Sequence, residues 1–259
     1  MKQRAFNLLG SIALVNFPYK TKLKEKKDFA KHLISTHKNI KTVLEKVEKF
    51  SGRLRKQKTK LLIGENTKEV LYKENNCEFR FNIEDTYFSP RLANERMELA
   101  KLMKKDSEVL VMFAGVAPFS IVIAKNSKVK KVYSNEINRK ANKYAELNIE
   151  KNKLKDKIEL VNGDIKKVVE KLNKKFDTII MPRPQLKDSF LEQAFKLSKK
   201  GTIIYYYDFC KKDKINSKIE MVKQEAKKAK KKIKIIQSKS AGELAPYKIR
   251  LRIDLKVLN

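Results

Sequence analysis

The residues of this chain whose types and spacing could do chemistry are two arginines at the head of a helix, a turn carrying one glycine, two carboxylates at strand ends and a loop bounded by prolines. Ser89 is a good N-cap and Pro90 a good first helical residue, so Arg91 falls in the first turn, where a cation opposes the helix dipole. Arg91 is thus poorly placed for stability and well placed to meet an anion or a polarised oxygen. Arg96 shares a stripe with Leu92, Leu99 and Met103 that faces the core, and a buried arginine requires a partner. Glu95 is a local acid that either arginine could bridge instead. Val109 to Phe113 runs without alternation, as a strand covered on both faces does, and meets Ala114-Gly115 and then Pro118. That pattern is a strand, a tight turn and a helix N-terminus, where a ligand can approach the backbone closely.

Glu136 closes the next strand about 20 residues on, where nucleotide-binding α/β folds hold ribose hydroxyls. Asp164 stands at the end of the strand after that. Either acid alone would serve as a helix cap, and Asp164 fits an N-cap; with the first turn they make a nucleoside site. Phe176 to Met181 is a fourth strand, followed by Pro182-Arg183-Pro184. Two prolines fix φ and remove two N–H donors, a stiffness that suits holding a flat base and equally suits a sharp strand end.

These positions need an α/β frame. The pattern predicts strands at Lys131 to Asn135, Ile158 to Val161, Gly201 to Tyr207, Lys232 to Ile236 and Lys248 to Val257, with a basic helix from Ile215 to about Lys230. Two closing strands after five β/α steps allow an antiparallel edge. Upstream, Gly10 to Val15 reads as a strand, Leu23 to Thr36 as a helix and Thr42 to Phe50 as short and mixed. Leu61 to Ile63, Val70 to Tyr72 and Cys77 to Ile83 read as strands. The expected division is residues 1–85, a small α+β domain, and 86–259, an α/β domain that carries the candidate site.

The 259 residues carry a formal net charge of +32, more than solubility requires, so a polyanion partner is expected. Nucleic acid ranks above a membrane surface, because no apolar stretch approaches the roughly 18 residues of a spanning helix. The basic segments from Lys20 and from Gly52 can supply a phosphate-tracking surface. Cys77 and Cys210 stand apart, without metal-ligand spacing, and His32 and His37 have no third ligand nearby; a cytoplasmic protein without structural metal is expected.

The segments FAGVAPFSI, YFSPRLANER, SNEIN, the NGD after the third strand, IIMPRP, IIYYYDF and the late LAPY are similar, in order and spacing, to the archaeal and eukaryotic family of tRNA guanine-37 N1-methyltransferases and their wyosine-pathway relatives. The resemblance runs from about Leu9 to the C-terminus. It implies a class I, Rossmann-like fold that uses S-adenosylmethionine on the anticodon loop of tRNA at position 37, as a monomer, with tRNA binding in residues 1–85 and catalysis in residues 86–259. By resemblance the cofactor pocket would comprise Phe113, Ala114, Gly115, Val116, Glu136, Ile137, Asp164 and Ile165, with Ser89 and Arg96 near it. Arg91 would act on the purine oxygen, and Pro182 and Pro184 would border the base.

This sequence departs from the family pattern in three places. Ala117 replaces the usual second glycine of the turn. The family's additional small N-terminal domain is expected to be absent from a chain of this length. Pro182 stands where N1-methylating members usually have an asparagine that contacts the target base. Some relatives methylate carbon 7 of the tricyclic intermediate 4-demethylwyosine instead, or also, and the departure favours that acceptor slightly. A non-catalytic tRNA-binding protein and an aminocarboxypropyl transferase of the same fold are the alternatives.

Overall fold

The computed structural model describes residues 6–47, 52, 54 and 56–259. Arg53 and Arg55 of the second basic segment, and the end of the Thr42 to Phe50 stretch, lie outside the described residues. The chain begins with β1 (Phe6–Leu9) and β2 (Ile12–Val15), an antiparallel hairpin in place of the single strand predicted from Gly10. Gly10 makes the turn at φ +57, and a Cβ there would lie 2.1 Å from the Leu71 carbonyl oxygen, so only glycine lets this turn approach the later hairpin.

Helix α1 (Leu23–Thr36), bounded as predicted, buries Phe29, Ala30 and Leu33, and His37 caps its end. β3 (Thr42–Lys46) and β4 (Thr59–Gly64) complete a four-stranded sheet in the order β1-β2-β3-β4. β3 is the stretch whose mixed composition hid a strand. Its Glu45 is buried because Lys26 of α1 neutralises it at 2.5 Å.

β5 (Glu69–Glu74) and β6 (Cys77–Asn82) form a separate hairpin. A single 3-10 turn over Pro90–Leu92 then leads into α2 (Ala93–Leu102). The α/β layer follows as β7 (Glu108–Met112), α3 (Pro118–Asn126), β8 (Lys131–Glu136), α4 (Arg139–Lys151), β9 (Ile158–Asn162), α5 (Ile165–Val168), β10 (Phe176–Met181), α6 (Leu191–Lys196), β11 (Ser198–Lys211), α7 (Ile215–Lys228), β12 (Ile233–Ala245) and β13 (Lys248–Val257).

The seven-stranded sheet runs β12-β13-β11-β10-β7-β8-β9. β7 to β11 are mutually parallel, and β13 is antiparallel to both its neighbours. The antiparallel strand therefore lies one in from the edge, and β12 takes the edge; β12 also runs well past the predicted Ile236. The chain order reverses at β7 and β10, so a crevice opens outside their carboxyl ends, where open α/β sheets bind ligands. Apolar clusters cover both faces of this sheet, and a third lies under α1.

The β5–β6 hairpin, grouped by sequence with the first 85 residues, lies against α4. Two asparagines one helical turn apart act as a substitute strand: Asn148 pairs with the Arg80 N–H at 2.7 Å and carbonyl at 3.1 Å, and Asn152 with those of Glu78 at 3.0 and 2.7 Å. Asn148 also donates to the Val116 carbonyl at 3.2 Å, which ties the hairpin to the turn after β7. Cys77 and Cys210 are free and buried, and burial pushes the Cys77 thiol up to about 11.

Candidate active site

A cavity of about 240 Å³ occupies the crevice at the strand-order reversal. Its floor is the turn after β7. Phe113 (φ +59), Gly115 (φ +59) and Ala117 (φ +65) all adopt left-handed backbone there, a rare conformation for a residue as bulky as Phe113. Phe113 packs edge-on against Phe190, itself at φ +57, with ring centroids 5.0 Å apart. Strain of this kind, of order 1–3 kcal/mol per residue, persists where the surroundings over-determine it, and it concentrates at ligand sites.

Glu136 binds the same turn. Its carboxylate accepts the Gly115 N–H at 2.8 Å and the Asn138 N–H at 2.7 Å. Burial raises its pKa, and these backbone donors oppose the rise. Asn138 caps α4 and donates its side-chain amide to the carbonyls of Asp85 at 2.8 Å and Leu54 at 3.3 Å. The segment preceding α2 is thereby tied to the cavity rim.

Arg96 is 1% exposed, and its partner is Glu74 on β5, bound in a two-pronged contact at 2.5 Å for each prong. A third bond goes to the Ser89 carbonyl at 3.1 Å, and the guanidinium lies over the rings of Phe88 and Phe119. Glu95, the local alternative, is engaged elsewhere: it receives Arg252 and the Tyr207 hydroxyl, each at 2.6 Å. Ser89 sits at the cap position without a side-chain cap bond.

On the opposite wall, Pro182 and Pro184 line the cavity with Arg183 between them. Arg183 turns inward. It donates to Asp208 at 2.7 Å, the Tyr206 hydroxyl at 3.1 Å and the carbonyls of Pro184 and Leu186 at 3.0 and 3.2 Å. Lys218 of α7 takes the other Asp208 oxygen at 2.7 Å.

Of the residues proposed from sequence, Ser89, Arg96, Phe113, Ala114, Gly115, Glu136, Ile137, Pro182 and Pro184 line the cavity. Val116 is fully buried behind the turn. Asp164 caps α5 through the Lys166 N–H, with Ile165 in the core below, and neither lines the cavity. Their loop is nonetheless joined to Glu136, whose carbonyl accepts the Gly163 N–H at 2.8 Å. Arg91 is exposed at the rim of a neighbouring cleft and donates to Asn7 at 3.2 Å.

The structure adds wall residues that the motifs did not single out as site residues: Tyr87, Phe88, Arg183, Phe190, Phe209 and Arg250. Arg250 donates to the Tyr87 hydroxyl at 3.3 Å and lies over Phe209, its partner across the β11–β13 ladder. Among the described residues no group of three or more His, Cys, Asp and Glu could hold a metal, and no helix is long and apolar enough to cross a membrane.

Strand order, the turn after β7 and a carboxylate at the end of β8 define a class I, Rossmann-like, S-adenosylmethionine-dependent methyltransferase fold. Residues 70–236 match the TRM5/TYW2 methyltransferase domain and residues 2–67 the TYW2 N-terminal domain, so the chain belongs to the TRM5/TYW2 family of methyltransferases. It is 33% identical over 254 residues to the tRNA (guanine(37)-N(1))-methyltransferase Trm5b of Pyrococcus abyssi, covering 98% of this chain and 74% of that one. The crystal structure of that protein matches with a TM-score of 0.88 over 98% of this chain and 75% of that chain. The tRNA (guanine(37)-N(1))/4-demethylwyosine(37)-methyltransferase Taw22 of Nanoarchaeum equitans is 30% identical over 304 residues, 98% of this chain and 100% of that one. A complex structure of aTrm5 with tRNALeu matches with a TM-score of 0.85 at 27% identity, over 98% of this chain and 72% of that chain.

Proposed function

We propose that this methyltransferase modifies position 37 of tRNA, at carbon 7 of 4-demethylwyosine in preference to N1 of guanosine. The observation that carries the preference is the loop after β10. Where N1-methylating relatives usually present an asparagine amide, this chain presents Pro182, and the adjoining Arg183 is committed to Asp208, Tyr206 and the loop's own carbonyls. The loop therefore meets the substrate with two rigid apolar rings, and its side-chain amide, that of Gln185, stands three residues after the position of the asparagine. A tricyclic base offers those rings a larger apolar face.

The cavity residues fit S-adenosylmethionine. The Glu136 carboxylate suits ribose hydroxyl donors, and Phe113 and Phe190 offer apolar walls to an adenine. When bound, this cofactor supplies an electrophilic methyl group to an acceptor held in line with it. The rest falls to the chain's own side chains, and positioning supplies much of the rate. Arg91 is assigned to the purine oxygen, where a guanidinium would stabilise the negative charge that develops as the N1 proton leaves, or would face the corresponding oxygen while carbon 7 attacks. To reach it, Arg91 must release Asn7, a neutral acceptor at 3.2 Å in an exposed contact that water can replace.

The test is nucleoside analysis of two substrates, an unmodified transcript and a tRNA carrying 4-demethylwyosine, each incubated with protein and with cofactor labelled either in the methyl or in the aminocarboxypropyl group. Methyl label in the tricyclic nucleoside is expected. Robust N1-methylguanosine with no tricyclic product would overturn the preference, and transfer of the aminocarboxypropyl label would overturn the reaction.

A further inference from the structure

The sheet of the N-terminal unit presents one face to α1 and the other, through Leu9, Ile12, Leu14 and Leu44, to the catalytic unit. Lys46 follows Leu44 by two residues on β3, and Asn7 pairs with Leu14 across the hairpin, so both belong to the second face. They line a small cleft of about 40 Å³ at the seam between the units, with Gln57, Thr86, Phe88 and Pro90. Phe88 also lines the main cavity, so one ring divides the cleft from the site. Arg91 reaches the cleft through its bond to Asn7.

The charges here are unbalanced. Lys46 is half-buried beside Arg91, and among the described residues neither cation forms an ion pair. Glu45, the preceding residue, serves α1 through Lys26. Burial first, and then the charge of Arg91, push the Lys46 ammonium below its ordinary pKa. A desolvated cation beside a like charge lowers the stability of the free protein, and an anion at Lys46 offsets that cost. Gln57 is 4% exposed and lines the same cleft, and its Oε1 has no hydrogen-bond partner, an acceptor that a ribose hydroxyl or a bridging water would satisfy.

We propose that Lys46 seats a backbone phosphate of the bound RNA strand at this seam, with Asn7 at its rim once Arg91 has turned to the base, so that the base of the same nucleotide enters the cavity past Phe88. The inference rests on the reading that the substrate is tRNA. It makes the N-terminal unit part of the substrate site and gives the approaching strand one fixed point beside the cavity.

The experiment measures tRNA affinity against salt for wild type, Lys46→Gln, Lys46→Met and Lys46→Arg, with cofactor calorimetry and thermal unfolding on each. Wild type should bind with a steep salt dependence. Lys46→Gln and Lys46→Met should weaken binding several-fold at low salt and reduce the slope of log K against log salt by about 0.7–0.9, one phosphate contact, while Lys46→Arg keeps the slope. Lys46→Met should also raise Tm, because it removes a desolvated cation, and this joint gain in stability and loss of binding marks a ligand site. An unchanged slope in both neutral variants, with wild type still steep, would overturn the phosphate seat alone. Salt-insensitive or absent tRNA binding by wild type would overturn the tRNA reading together with it.

Discussion

Arg183 in the loop after β10 and Asp208 on β11 meet at 2.7 Å with both side chains almost wholly buried, and Lys218 closes on the other Asp208 oxygen at the same distance. The carboxylate therefore balances two cations and holds the Pro182-Arg183-Pro184 loop against the sheet. Asp208→Ala should cost about 3–5 kcal/mol, the range for a buried pair broken from one side, because it leaves the Arg183 guanidinium uncompensated. Urea unfolding measures this. A loss below about 1 kcal/mol would mean that the loop is not anchored through this pair.

Glu136 offers a test with a sign. Its folded pKa is raised by burial above the ordinary carboxylate value of 4.5. Between those two values the native protein holds a proton that the unfolded chain has lost, so the stability of the free protein rises as pH falls through that window. Cofactor affinity should move the opposite way, since ribose hydroxyls donate to the ionised form. Calorimetry on Glu136→Gln should show affinity reduced by about tenfold or more, the loss of a charge-assisted bond of about 1.5–3 kcal/mol, and this pH dependence abolished. Wild-type affinity in the variant would remove Glu136 from the site.

Ala117, where the family usually has glycine, stands at φ +65 just before α3. A left-handed conformation costs an L residue roughly 1–2 kcal/mol, and glycine returns part of that in backbone entropy. Ala117→Gly should stabilise the protein by about 1 kcal/mol, or ~2–4 °C in Tm at this size. Gly115→Ala should do the reverse: its φ is +59, and the new Cβ would lie 3.4 Å from the Tyr87 carbonyl oxygen. A lower Tm for Ala117→Gly would show that the alanine methyl contributes more packing than strain.

The sequence made the sheet legible because buried parallel strands are continuous apolar runs, and β7, β8, β9 and β10 each end near a residue with chemical character. Residues local to those ends, such as Phe113, Gly115, Glu136 and the two prolines, were legible with them. One-residue differences in direction were not: Val116 points into the core and Asp164 into a helix cap. Phe209 and Arg250 reach the cavity through the β11–β13 ladder, a pairing set by tertiary register that no local pattern encodes. β3 was obscured by Glu45, whose burial depends on a lysine 19 positions earlier.

The loop's role in choosing the acceptor can be tested by restoring an amide at its first position. Pro182→Asn places a side-chain amide at the end of β10, with Pro184, Gln185 and the Arg183 anchor left in place. An amide there can hold guanosine by its edge and bring N1 toward the methyl, and correct placement is worth far more than the bond itself. N1-methylguanosine formation on unmodified transcript should therefore rise by about tenfold or more relative to wild type, while the rate on the tricyclic base stays level or falls. Arg91→Ala provides the companion measurement, because a guanidinium on the base oxygen serves either acceptor. Both rates should fall by about 100-fold or more at saturating cofactor, as when other oxyanion donors are removed, with cofactor affinity nearly unchanged. If Pro182→Asn leaves the ratio of the two products where it was, the loop does not select the acceptor; a full rate in Arg91→Ala would mean that the arginine keeps its place on Asn7 during the reaction.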